Sequence, residues 1–506
     1  MSGSADFLVE IGTEELPPKA LWTLASAFGA GLTKGFDAHG LAYKQASVYA
    51  TPRRLAVIVT ALSLGQAAKR VERRGPALTA AFDANGMPTP AALGFAKSCG
   101  VAIEQLERSE TEKGAWLIFR SVQGGRTAEE LIPSVVQTAL DSLPIPKRMR
   151  WGDTEHLFVR PVHWSVLLLG DRVVDSTLFG TRCGRETRGH RFMRAKTFYL
   201  SSPSAYLPLL ETEGRVLVDF AARREAIRAQ VSEAAVAAGG EALIDSALLD
   251  EVTGLVEWPV AIQGQFDARF LAIPQAALVS TLQSHQKYFP VVDAGSGSLL
   301  PCFITVANIE SPNPKVVQAG NERVVRPRLE DAMFFFQRDM AVPLSHRLND
   351  LGAVVYQKQL GTLFDKVQRV KALALGVARE MGADAATCQQ VGRAVELCKC
   401  DLLTAMVNEF PDLQGVMGRE YATRQGEADE VAWAIEEHYQ PRFAGDVLPR
   451  ALVSQAVGVA DRLDTLCGIF SVGLIPTGDK DPFGLRRSAL GLLRILIEQE
   501  RDVDLR

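Results

Sequence analysis

The chain has 506 residues, too many for one hydrophobic core, so roughly two to four domains are expected. Its content of 47% hydrophobic and 23% charged residues is ordinary for a globular protein and argues against a disordered or fibrous chain. With 55 Lys and Arg against 59 Asp and Glu the net charge is −4, so any contact with nucleic acid must come from local patches.

Phe7-Leu8-Val9-Glu10-Ile11 predicts a short strand with Phe7, Val9 and Ile11 on one face. Gly12-Thr13-Glu14-Glu15 carries two acids off its end, and Pro17-Pro18 marks the entry to a helix from Lys19 to about residue 36. Acids beside a helix start suit the positive end of its dipole. A second strand over 54–62 completes an α/β unit at residues 1–65. Arg53 and Arg54 follow a Thr-Pro turn there, and the strand period sends their side chains to opposite faces, one toward a partner and the other into a salt bridge. Residues 66–325 predict a mixed α/β body, with strands over 115–122, 164–169, 216–220 and 303–307. Its turns are rich in Gly and Pro, as in Asp83-Ala84-Asn85-Gly86-Met87-Pro88. In the last region, residues 326–506, Leu360, Phe364, Val367, Val370 and Val377 recur at helical spacing, as do Val391, Val395, Leu402 and Met406. The expected fold class is therefore α+β multidomain: a mixed α/β body followed by an all-α domain. An amphipathic helix bearing Leu490, Leu493, Ile495 and Ile497 closes the sequence without a C-cap signal after it.

Several chemistries lack their motifs. There is no Gly-x-x-x-x-Gly-Lys-Ser/Thr loop, no Gly-x-Gly-x-x-Gly after a strand and no His-Glu-x-x-His. The seven histidines show no metal-ligand spacing. The cysteines are odd in number and form no pair of CxxC motifs, and Cys398 and Cys400 suit packing better than ligation. No basic leader precedes an apolar run and no run approaches the ~18 residues of a membrane span, so a cytoplasmic location with no membrane partner is expected.

What stands out is a basic segment over 145–200, with Lys147, Arg148, Arg150, Arg182, Arg185, Arg188 and Arg191 among its cations. Arginine suits phosphate through paired hydrogen bonds, and Trp151, Trp164 and Phe192 could stack on unpaired bases. A solvated charged face over core aromatics is the competing account. Further basic candidates are Arg53, Arg326, Arg328, Lys480, Arg486 and Arg487. The loop Gly478-Asp479-Lys480-Asp481-Pro482 suits capping of the helix that follows it better than a phosphate site. His285 has polar neighbours but no partner, and is given no role.

The run Phe7–Lys19 resembles the opening of the β subunit of the bacterial two-subunit glycyl-tRNA synthetase. The resemblance continues through Tyr49–Ala56, Met149–Gly152, Phe158–Trp164, Gly189–Phe192, Ser284–Phe289, Asn321–Val324, Glu409–Gly415 and Gly478–Gly484. It implies a glycine-tRNA ligase in which a separate α subunit activates glycine and the β chain handles tRNA-Gly. The expected partners are the α subunit, in an α2β2 assembly, and tRNA-Gly, with no DNA. No cofactor is expected on this chain; ATP and Mg2+ serve the αβ holoenzyme, and no catalytic or metal-binding residue is expected here. The resemblance also implies a C-terminal anticodon-binding domain beyond the last residue, so the chain looks truncated. In the helical domain Asp401, His438 and Asp461 resemble later ligands of the HD phosphohydrolase fold. Cys400 stands where the paired histidine would be, and no histidine lies over 357–383. The domain is therefore expected to be HD-like but degenerate, its acids in buried ion pairs or helix caps. The alternatives are a metal-dependent phosphohydrolase and a noncatalytic RNA-binding module.

Overall fold

The computed structural model describes residues 3–67, 69–83, 86–111, 114–123, 125–478 and 480–505. Ala84 and Asn85 of the expected turn and Asp479 of the expected loop lie outside the described residues. The chain folds into two compact units, one of residues 1–229, 245–260 and 306–310, the other of 230–244, 261–305 and 311–506.

The first unit opens with β1 (Ser4–Thr13), α1 (Pro18–Ala38), β2 (Gln45–Thr51) and β3 (Arg54–Ser63). It continues with β4 (Lys69–Ala77), α2 (Pro90–Cys99), β5 (Glu107–Thr111), β6 (Gly114–Gln123), α3 (Ala128–Asp141), β7 (Val162–Leu169) and β8 (Arg172–Val173). Five strands form an antiparallel sheet in the order β8-β7-β1-β3-β2. Phe7, Val9 and Ile11 share one core with Phe28 and Leu32 of α1 and Leu131 and Val135 of α3, as the two-residue period requires. The other face is also covered. Leu8, Ala56, Ile58, Val166 and Leu168 pack with Leu200, Tyr206, Leu210, Val216 and Val218. A sheet sealed on both sides forces Glu10 and Arg54, on that second face, into the interior. A smaller sheet, β4-β6-β5, carries α2 through Ala92, Ala96 and Leu117.

The strand expected over 216–220 is absent. Val216 and Val218 alternate into the second core, but only Leu217 N–H finds a strand-like partner, the Glu257 carbonyl, and Phe220 already begins the helix Phe220–Ala237. Alternate burial without a neighbouring ladder makes an extended connection, not a strand.

Apart from Val260, Val306 and Ala307 at strand ends, the second unit contains a sheet of β9 (Glu241–Ala242), β10 (Val260–Gln265), β11 (Phe289–Val292) and β12 (Leu299–Ala307), in the order β9-β11-β12-β10. Seven of its helices carry the argument below: α4 (Pro314–Met340), α5 (Leu363–Glu380), α6 (Ala385–Leu397), α7 (Val416–Arg424), α8 (Asp429–Glu437), α9 (Leu452–Ser471) and α10 (Leu485–Glu498). Val367, Val370 and Val377 of α5 and Val391 and Val395 of α6 are buried in a single core, as their spacing predicts. Leu360 and Leu402 fall outside those helices: a hairpin pairs Val355–Gln357 with Gly361–Thr362, and Leu402 lies in a 3-10 turn. On α10 the buried side chains are Leu492, Ile495 and Leu496, whereas Leu490, Leu493 and Ile497 are exposed. Of the residues expected to make its apolar face, only Ile495 turns inward. Among the described residues no helix is long and apolar enough to cross a membrane.

Candidate functional site

β1 and β7 place Gly12 opposite Trp164, and a Cβ on Gly12 would sit 1.9 Å from the indole. Glycine is what lets the ring lie across the strand end. Past that point the chain leaves the sheet and Glu14 and Glu15 turn outward. One Glu14 oxygen lies 2.9 Å from His163 Nε2, the other 2.9 Å from the Arg191 guanidinium, which also reaches Glu15 at 3.4 Å. Partial burial works against the Glu14 charge, but Arg191 and His163 together hold its carboxyl below the usual range. Neither acid lies in the first turn of α1, so the helix dipole does not explain them. They organise a surface of alternating charge drawn from three distant segments.

Directly beneath is a sealed charge network. Arg54 is fully buried between Glu10 and Glu257, each 3.2 Å away. Thr51 donates to Glu257 at 2.7 Å and Thr187 donates to Glu10 at 3.0 Å. Burial pushes the Glu10 carboxyl up, and Arg54 only partly offsets it; burial would also raise Glu257, but Arg54 and Thr51 hold that group low. One cation thus serves two carboxylates and is shared unequally. Nearby, Arg223 is equally buried and donates to the Thr253, Leu217 and Ala50 carbonyls. These are the structural arginines of the unit.

The expected divergence of Arg53 and Arg54 does not occur. β3 begins at Arg54, so Arg53 remains in the turn and escapes the strand period. Both guanidiniums lie near the Trp164 ring, at 5.7 and 5.6 Å, and Arg188 approaches the same ring at 5.0 Å. Arg53 is buried, whereas Arg188 is exposed.

The other basic candidates occupy varied settings. Lys147 is exposed; Arg148 donates to the Asp141 carbonyl and Arg150 to Glu155. Arg182 pairs with Asp175 in full solvent, and Arg185 donates to the Leu200 and Asp171 carbonyls. Phe192 is 73% exposed, but Trp151 is half-buried and Trp164 buried. In the second unit, Arg326 and Arg328 are exposed on α4, and Lys480, Arg486 and Arg487 are exposed at the start of α10. The Asp481 carboxylate there accepts from the Leu485 and Arg486 backbone N–H groups, which is a helix cap. His285 stacks on Phe410 at 5.1 Å.

The helical unit draws His438 and Asp461 together around lysines. Lys399 donates to His438 Nε2 at 2.8 Å, and the other ring nitrogen donates to the Ile435 carbonyl at 2.9 Å. Burial first, then the Lys399 charge, keeps the imidazole neutral, well below its ordinary pKa. Asp461 Oδ1 lies 3.3 Å from Lys366 Nζ and 3.4 Å from Lys399 Nζ. Against the cost of burial, those ammonium groups hold the Asp461 carboxyl well below its usual range. Asp401 faces elsewhere: its carboxylate accepts the Gly415 N–H at 2.5 Å, and burial raises it to about 6. Gly415 adopts φ +79° with the Tyr439 ring 2.9 Å from where a Cβ would stand, so only glycine suits that turn. Cys398 and Cys400 are buried, and burial pushes the Cys398 thiol up to about 12, consistent with packing. Among the described residues no group of three or more His, Cys, Asp or Glu side chains could hold a metal ion.

Lys366 and Glu257 went unnoticed in the sequence. Glu257 lies 203 residues from Arg54 and Lys366 lies 95 from Asp461, so no local pattern joins either pair.

Comparison with known proteins gives a single family. The profile of the glycyl-tRNA synthetase beta subunit matches residues 7–506. The chain is 52% identical over 500 residues to the glycine–tRNA ligase beta subunit of Hahella chejuensis, covering 99% of this chain and 72% of that protein. It is 53% identical over 500 residues to the one from Pseudomonas aeruginosa strain LESB58 and 51% over 499 to the one from Klebsiella pneumoniae, with the same coverage. The chain belongs to the glycyl-tRNA synthetase beta subunit family.

Proposed function

We propose that this glycine-tRNA ligase beta subunit works with a separate α subunit in an α2β2 assembly in the cytoplasm, where its own part is to bind and position tRNA-Gly. Membership of the family over residues 7–506 is the observation that carries this. ATP and Mg2+ then belong to the adenylation site of the α subunit, and no chemical step is routed through the residues described above. The exposed cations Lys147, Arg150, Arg182 and Arg188 support an RNA-facing surface on the first unit. Contact through Arg53 is disfavoured, because its side chain is buried beside Trp164.

The helical region is, on the same proposal, an HD-like domain that has given up hydrolysis. Its best support is chemical: the His438 nitrogen free to ligate a metal instead accepts a hydrogen bond from Lys399, and two ammonium groups stand against Asp461. The test is binding of tRNA-Gly to the purified chain as NaCl rises. Phosphate contacts predict a fall in affinity of at least roughly tenfold between about 50 and 200 mM salt, reduced in Arg150→Ala/Arg188→Ala. Affinity insensitive to salt and to these substitutions would overturn tRNA positioning by this surface.

A further inference from the structure

We propose that the helical unit holds a binding site for a small phosphorylated ligand, in a cavity of about 270 Å³ bordered by Tyr439, Arg442, Asp461, Arg462, Arg487 and Ser488. This assignment does not rest on the tRNA reading.

Charge selects an anion. Three guanidiniums border the cavity against one acid, and that acid, Asp461, already faces Lys366 and Lys399 at 3.3 and 3.4 Å. The arginines divide the work. Arg462 is buried and committed to the wall, donating to the carbonyls of His438, Gly458, Tyr439 and Pro441. Arg487 is exposed and makes no ion pair among the described residues. Arg442 is exposed, and its only ion pair among them is a long one of 3.7 Å to Glu436. Two exposed guanidiniums therefore stand over a floor that Arg462 already fixes. Guanidinium geometry matches the paired oxygens of a phosphate, and the Ser488 hydroxyl adds a donor of the right kind.

Size selects a small group. The volume lies just under the roughly 300–1,000 Å³ of sites for drug-sized ligands, which suits a phosphate or diphosphate, free or at the end of a nucleotide. His438 Nε2 is taken up by Lys399 and is not offered to a metal beside that anion. Binding would rest on side-chain charge alone.

Isothermal titration of the intact chain with inorganic pyrophosphate, AMP and a 5′-phosphorylated dinucleotide tests this, alongside the unphosphorylated dinucleotide. The expected result is saturable one-to-one binding of pyrophosphate or of a phosphorylated probe, weakened roughly tenfold or more by Arg487→Ala and again by Arg442→Ala. Both substitutions are on exposed side chains, and an unchanged melting temperature would show that the unit remains folded. Tighter binding of the phosphorylated dinucleotide than of pyrophosphate would assign the group to a nucleotide end; the reverse order would assign it to a free anion. No saturable binding of any phosphorylated probe, equal binding of the unphosphorylated dinucleotide, or binding that both variants retain would overturn the proposal.

Discussion

The two units bury their charged groups in different settings. In the first, one arginine stands between two carboxylates: Arg54 holds Glu10 and Glu257 inside a sheet covered on both faces. In the second, two lysines interlock with two acids: Lys399 faces Asp461, Lys366 is shared between Asp461 and Asp464, and a neutral His438 fills the remaining position. The first arrangement is enclosed within its unit, whereas the second borders a cavity through His438 and Asp461. Sealed networks fix a fold, because removing either sign strands the other in a medium of low dielectric. A network that borders a cavity can also meet a ligand. That difference separates what holds this protein together from what it has to offer a partner.

Removing Arg54 should break the first half of the comparison most severely. Arg54→Met leaves two buried acids facing each other, and the unfolding transition of that unit should lose about 3–5 kcal/mol in a urea titration. A loss under about 1 kcal/mol would mean that the network is not sealed as described. Overpacking comes next. Gly12→Ala drives a methyl into the Trp164 ring, which lies 1.9 Å from the Cβ position, and should cost about 1–3 kcal/mol on the same titration.

The sequence went far in locating elements and fell short on partners. The strand around Phe7–Ile11, the helix after Pro17 and the buried faces of α5 and α6 follow from periodicity and punctuation, which act within a turn or two of chain. The capping role of the loop before α10 and the packing of Cys398 and Cys400 were legible for the same reason. The partner of Arg54 was not, since Glu257 comes from a segment 203 residues away. The two acids of the opening motif were misassigned to a helix dipole because nothing near them in sequence announces Arg191 or His163. Likewise the Val216–Val218 alternation reports burial, and burial alone does not supply a neighbouring strand.

His438 sharpens the second half. Its folded pKa is depressed, so its contribution is fully present above the unfolded value near 6.5 and fades as acid protonates the unfolded chain in preference. The stability of the native protein relative to His438→Gln should therefore fall by roughly 1 kcal/mol between about pH 7.5 and 5.5. Asp401, raised to about 6, shifts in the opposite sense but is common to both proteins and cancels in that difference. A constant difference across this window would show that the imidazole titrates freely. The smallest effect belongs to the surface. Glu14→Gln and Arg191→Ala should each change stability by less than about 1 kcal/mol, because their pairs are partly solvated. A larger loss would make the outer charges part of the sealed network beneath them.

The most direct measurement of the central claim is glycine attachment to tRNA-Gly, with ATP and Mg2+ present, by α subunit alone and by α subunit plus this chain. Charging that requires both is the predicted result. Equal charging without this chain, under conditions where the two subunits bind each other, would contradict its part in the reaction.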